Sequence, residues 1–288
     1  MNLTRDSILF NAAAGLCVLG AAGYIAADAL MTPSNPTCTA SYPPANVLPL
    51  ENSYGEPMSP VELLTSIGGM QRGVLEHARA SAVDGAPSPL VIQVGIKAGT
   101  SSSYQSEKDP GGVSFAWRPE AMAGASAACL SYSVRMAEGF EFGMGGLLPG
   151  LYGGRILSIN ERSDGKSGLA ARIAWRKDGA GAVFVQFPKA TGANGIYQPA
   201  TGFAFAPGRW VRVDQEVVLN EPGAANGSLR VWFDGELVVD RKGIVWREDA
   251  SLELSGVVAD VSYGGSDRNW TAPKDGQIDL TPLELSWR

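Results

Sequence analysis

From Leu90 to the C-terminus the chain is written in short stretches that alternate apolar and polar positions. LVIQVGI (90–96), GVSFAW (112–117), LSYSVRM (130–136), ARIAW (171–175) and AVFVQF (182–187) are five of them. WVRVDQEVVL (210–219), SLRVWFDGELVVD (228–240), VVADVSY (257–263) and LELSW (283–287) continue the series. A period of two puts one set of side chains on each face of a strand, so these segments predict half-buried β-strands. Gly, Pro, Asn and Asp punctuate them, and Asp234-Gly235 sits between two strand runs as a hairpin turn. The region shows no helix pattern of ordinary length and no repeat of 20–50 residues. The expectation is an all-β fold: one antiparallel sandwich over 90–288, most simply a β-jelly roll.

Upstream the period changes. Ser59-Pro60 offers an N-cap followed by proline at the first helical position. Leu63, Leu64, Ile67, Met70, Val74 and Leu75 follow at near-helical spacing, with Gly68-Gly69 in their midst. A short or broken helix is expected within 59–89. His77 falls here as a surface or half-buried helical residue. Six prolines between 31 and 58 predict an extended, semi-rigid tether.

Residues 7–30 form an apolar run, and 8–27 carry no formal charge. Twenty helical residues span about 30 Å, the thickness of the hydrocarbon layer. Arg5 precedes the run and Asp28 follows it, which points residues 1–6 to the cytoplasm and the remainder outward. Two readings fit: a retained transmembrane anchor, or a signal peptide cleaved near Ala27-Asp28-Ala29. The anchor is the expectation taken forward, with the C-terminal domain on the periplasmic side of a bacterial inner membrane. Cys17 lies in the run, preceded by Leu16, where a lipoprotein signal would carry a small residue. Cys38 and Cys129 lie beyond it, where a disulfide is chemically permitted; two buried thiols are the alternative.

Composition narrows the chemistry. Gly accounts for 36 of 288 residues and charged residues for 18%, which suits many turns between short strands. The net charge is −6 and no extended basic tract exists, which argues against nucleic acid as a partner. One histidine in the whole chain argues against His-based zinc sites and Ser-His-Asp chemistry. No cofactor or metal is expected; Asp267 alone is too little for calcium, which takes six to eight oxygens.

Five motifs in order then carry a resemblance. GGLLPGLYGG (145–154) resembles the GGKLPGLYGG loop of the family 14 polysaccharide lyases, relatives of the glucuronan lyases. AARIAWR (170–176) is similar to their S-T-R-x-M-W-R strand, and GAGAVFVQFP (179–188) to their GAGE-x-YAY-x-P hairpin. Trp210, Gln215, Leu219-Asn220, Gly227 and Trp232-x-Asp234-Gly235 fit a further run, and Tyr263-Gly264-Gly265-Ser266-Asp267 with Trp270 fits the ending. The resemblance covers roughly 90–288 and implies a jelly roll with a concave groove for acidic polysaccharide.

Such lyases work by β-elimination: the uronate carboxylate is neutralised, a base takes the C5 proton and an acid protonates the leaving oxygen. In the family a Lys of the loop, the Ser and Arg of S-T-R and the two tyrosines of Y-A-Y carry this work. The resemblance places these roles at Leu147, Ala170, Arg172, Phe184 and Gln186, so only the arginine is kept. Leu and Ala donate nothing to a carboxylate, Phe has no phenol and Gln does not titrate. Groove-binding candidates are Arg135, Arg172, Gln186 and Tyr152. Arg172 could instead pair with a neighbouring carboxylate. Tyr132, on a strand, Tyr152, in the loop, and Tyr197 are the phenols that could supply a displaced base, packing being the competing role. Most of the seven tryptophans are expected in the core, with room for a sugar-stacking platform among them.

The expected function is a membrane-anchored, non-catalytic lyase-like domain, a scaffold or accessory subunit of a larger membrane complex of photosynthetic, respiratory or secretion type. The alternatives are an exported lyase cleaving uronate polymers, or a glycan-binding module.

Overall fold

The computed structural model describes residues 36–102, 111–264 and 268–288. The expected membrane segment 7–30, Cys17 and Asp267 lie outside these residues. Among the described residues no helix is long and apolar enough to cross a membrane.

Two antiparallel sheets face each other. Sheet 1 contains β1 (Asn46–Val47), β3 (Ala78–Ser81), β4 (Val91–Ile96), β6 (Ala127–Met136), β11 (Trp210–Val218), β12 (Gly227–Phe233), β13 (Glu236–Ile244), β15 (Gly276–Leu280) and β16 (Glu284–Trp287). Its main order is β13-β12-β11-β6-β15-β4-β3, with β16 joining β6 to β1. Sheet 2 contains β2 (Gln71–Arg72), β5 (Gly112–Trp117), β7 (Gly145–Gly154), β8 (Gly168–Arg176), β9 (Ala180–Gln186), β10 (Ile196–Ala204) and β14 (Leu254–Tyr263). Its order is β10-β9-β8-β7-β14-β5-β2. Runs of consecutive hairpins (β7 to β10, β11 to β13) alternate with distant pairings such as β6 with β11 and β7 with β14, as in a jelly-roll-like sandwich.

The alternation does what period two requires. Leu169, Ala171, Ile173 and Trp175 of β8 point to the core, as do Leu130, Tyr132 and Val134 of β6. The intervening residues of β8 lie on the opposite face of sheet 2. The Asp-Gly hairpin forms between β12 and β13, with both Asp234 (φ 50°) and Gly235 (φ 82°) left-handed, as a tight turn between twisted strands demands.

Helix α1 (Pro60–Ile67) starts where the sequence places it. The Ser59 side chain accepts from the Glu62 N–H, and the Glu62 carboxylate accepts from the Ser59 N–H at 2.8 Å, a reciprocal cap. It stops at Gly68, and a single turn, α2 (Val74–His77), follows. The tail of the helical pattern is strand: 78–81 pair with β4 as β3.

The tether expected over 31–58 is corrected from Thr37 onward. Thr37–Arg288 is one compact unit. Leu48 and Leu50 are buried, and Asn46-Val47 pair with β16. Cys38 is bonded to Cys129 of β6, with Cα atoms 5.8 Å apart. Around this bond Tyr42, Ala127 and Trp232 pack into a small cluster separate from the main core. The prolines prevent regular structure here without preventing burial, because apolar residues sit between them.

Candidate functional site

The outward face of sheet 2 gathers the residues singled out in the sequence. Leu147 (β7), Ala170 and Arg172 (β8), and Phe184 and Gln186 (β9) share it, through the registers Leu147↔Ala174, Arg172↔Phe184 and Ala170↔Gln186. Gly145–Gly154, expected as a loop, is strand β7 with a register skip between Leu147 and Gly150. The skip leaves inward-facing backbone groups, and the other sheet meets them. The Tyr132 hydroxyl donates to Pro149 O, and Gln215 accepts from Leu151 N–H while donating to Ala171 O. Buried backbone groups need such partners.

Arg172 is 1% exposed, and each of its three nitrogens has an acceptor. Nε donates to Asp260 at 2.6 Å, Nη1 to the Gln186 side-chain oxygen at 2.7 Å, and Nη2 to Leu157 O at 2.7 Å. Asp260 stands on β14, beyond β7, so the arginine reaches over β7 to find it. Gly150 is the residue beneath: a Cβ there would lie 2.0 Å from Ala171 O and 2.5 Å from the Arg172 Cα. The glycine is therefore demanded by the close approach of β7 and β8. The second Asp260 oxygen accepts from the Ser114 hydroxyl of β5. One polar chain, Ser114, Asp260, Arg172 and Gln186, thus draws on four strands and spans five, passing over β7.

Gln186 ties this chain to a loop. Its amide nitrogen donates to Ser158 O, Glu161 O and Asn194 O at 2.9, 2.6 and 3.3 Å. The loop 155–161 therefore lies across the face. Ile156 packs on Ala116, Tyr152, Ala170 and Val258, and Ile159 on Leu147, Ala174, Ala182 and Phe184. Arg155 and Glu161 pair at the loop's own surface.

Beside the loop is a cleft of about 390 Å³, lined by Met70, Arg72, Ser114, Leu147, Ile156, Arg172 and Asp260, among others. Its two carboxylates, Glu161 and Asp260, are each ion-paired with an arginine.

The remaining candidates separate. Arg135 is corrected out of the groove: it is on β6 of sheet 1, where it pairs with the buried Asp279 at 2.7 Å. Tyr132 belongs to the core, and burial pushes its phenol well above the ordinary range. Tyr152 is on the site face but packed under Ile156, and burial raises its pKa as well. Tyr197 of β10 lies 4.9 Å from Phe184, ring to ring; desolvation raises it, against the opposing pull of Arg176. Trp117, Trp175, Trp232 and Trp246 are buried, while Trp210, Trp270 and Trp287 are half-buried. His77 ends α2 and lines a second depression with Glu76, Arg79 and Asp275.

Asp260, Ser114 and the loop 155–161 were missed in the sequence. Alternation puts Val258 and Asp260 on one face, and a lone acid on that face of an otherwise uncharged strand is the available signal. Nothing local says that β14 lies two strands from β8.

Comparison with solved structures gives the same fold. A PL-14 alginate lyase from Aplysia kurodai matches with TM-score 0.72 at 23% identity, over 85% of this chain and all of that one. The alginate lyase Aly36B matches with TM-score 0.68 at 18% identity, over 85% of this chain and 97% of that one. The alginate lyase vAL-1 from Chlorella virus matches with TM-score 0.67 at 19% identity, over 84% of this chain and all of that one. No curated protein matches the sequence. The family model for polysaccharide lyase 14 matches residues 86–281, and the chain belongs to that family.

Proposed function

We propose that this chain is an exported member of the polysaccharide lyase 14 family that binds acidic glycan and does not cleave it. The observation that carries this is the state of Arg172. In the β-elimination implied by the family motifs an arginine at this position meets the substrate carboxylate. Here its three nitrogens are held by Asp260, Gln186 and Leu157 O, and it is sealed from solvent. Buried, and with its charge already paired to Asp260, this guanidinium is not presented to a second carboxylate. The surrounding positions Leu147, Ala170 and Phe184 bring no proton donor or acceptor. Burial raises the phenols near them, so less of each stands as phenolate at neutral pH. Export is supported by the Cys38–Cys129 bond, which persists in oxidising compartments.

The second reading is an active lyase on uronate polymers, favoured by the family match and by the likeness to a PL-14 alginate lyase. One experiment separates the two. The full-length chain, solubilised in mild detergent, is incubated with polymannuronate, polyguluronate and polyglucuronate, while ultraviolet absorbance follows the unsaturated product. Pull-down on the same polymers reads binding. Retention with no absorbance change is expected. Steady growth of the unsaturated product would establish the lyase instead.

A further inference from the structure

We propose that Arg176 is the residue with which this domain holds a sugar carboxylate, at a subsite apart from the sealed floor around Arg172. The inference rests on the reading of the domain as a binder of acidic glycan. Arg176 ends β8 on the same face as Arg172. They are four residue steps apart along the strand, about 13 Å at 3.3 Å per residue.

The two arginines are in opposite states. Arg172 has an acceptor on every nitrogen. The Arg176 guanidinium lies over two aromatic rings, 4.2 Å from the centre of Tyr197 and 4.7 Å from that of Trp270. Ring faces hold the plane of the guanidinium and attract its charge, but a ring face is not a hydrogen-bond acceptor in the guanidinium plane. Nη1 is buried and has no hydrogen-bond partner; it is the only such arginine nitrogen among the described residues. No carboxylate among them pairs with Arg176.

A charged N–H buried without an acceptor is unfavourable, and native proteins rarely leave one so. A carboxylate presented to the edge removes the cost, because its two oxygens match two parallel N–H groups. Tyr197 and Trp270 prevent the side chain from swinging away, so the fork is oriented before the ligand arrives. Trp270 is itself fixed by close packing over Gly145, where a Cβ would lie 3.2 Å from its ring. The ligand class that follows is a uronate unit of an acidic oligosaccharide; a neutral sugar offers the edge no charge.

The test titrates the full-length chain with tetraglucuronate and tetramannuronate, and with cellotetraose as the neutral control, by calorimetry. R176Q is expected to weaken acidic binding at least about tenfold, the scale of one charge-assisted pair. R176K, which keeps the charge and loses the fork, is expected to fall between. Equal affinity of wild type and R176Q for the acidic oligosaccharides would overturn the subsite and leave the binding reading standing. Wild-type binding of cellotetraose as tight as that of the uronates would overturn it as well. Absence of binding by the wild type would overturn the broader reading and the subsite together. Urea unfolding of each variant checks its folding; should R176Q not fold, R176K carries the comparison.

Discussion

A buried arginine with all its nitrogens engaged behaves as part of the framework. Removing one side of such a pair leaves the other charge in a poor environment, so Arg172→Ala is expected to cost about 3–5 kcal/mol, read by urea unfolding. The double variant R172M/D260N, which removes both charges, is expected to lose much less. A loss below about 1 kcal/mol for the single variant would mean that Asp260 finds water instead. Asp164 gives a second residue-scale expectation. Its carboxylate accepts N–H groups from Lys166 and Ser167 and the Ser167 hydroxyl, which pull its pKa down to about 2. An unfolded aspartate titrates near about 3.9. A depressed folded pKa stabilises above the unfolded value, and that stability is lost as pH falls through the folded one. The unfolding free energy of wild type minus Asp164→Asn should therefore be flat above about pH 5 and close between about pH 4 and 2. A difference that stays constant through that range would discount the turn. Arg172 itself was legible from the motif it sits in. Its partner was not, because 88 residues separate it from Asp260 and only strand order brings them together.

At the scale of elements, legibility followed side-chain pattern and failed where backbone did the work. β5 and the β12–β13 hairpin stand where alternation and an Asp-Gly pair put them. β7 was hidden because glycine and proline dominate its ten residues and read as a loop. Those residues let the strand carry a skip and lie close under Arg172. β10 and β15 carry too few apolar residues to announce themselves, being half-exposed along part of their length. The N-terminal strap was hidden by its prolines. Its anchor is the Cys38–Cys129 bond, which closes a loop of 91 residues. Cys38→Ser with Cys129→Ser is expected to cost about 2–5 kcal/mol in a urea titration. A variant as stable as the wild type would assign the strap's hold to Leu48, Leu50 and Tyr42 alone.

For the molecule as a whole, the two faces of sheet 2 divide its labour. The inner face joins the main core. The outer face belongs to a fold shared with solved alginate lyases, while Gln186 holds the loop 155–161 across it. That arrangement was out of reach of motif comparison, which matched positions one by one and could report only that Gln does not titrate. The amide's ability to hold backbone carbonyls is a property of the loop's path, and the path is set by the fold.

The covalent link between strap and sheet also fixes how the domain answers a pull. Traction on Thr37 would meet the bond one residue later and pass into β6, which is hydrogen-bonded to β11, β15 and β16 in the middle of sheet 1. Such a load is shared with the three strands bonded to β6. With the bond reduced, the same traction would peel 38–50 away stepwise, lifting the two-residue β1 from β16 first among the strands. The domain is thus built as a riveted fitting, stiff toward whatever lies upstream for as long as its surroundings stay oxidising.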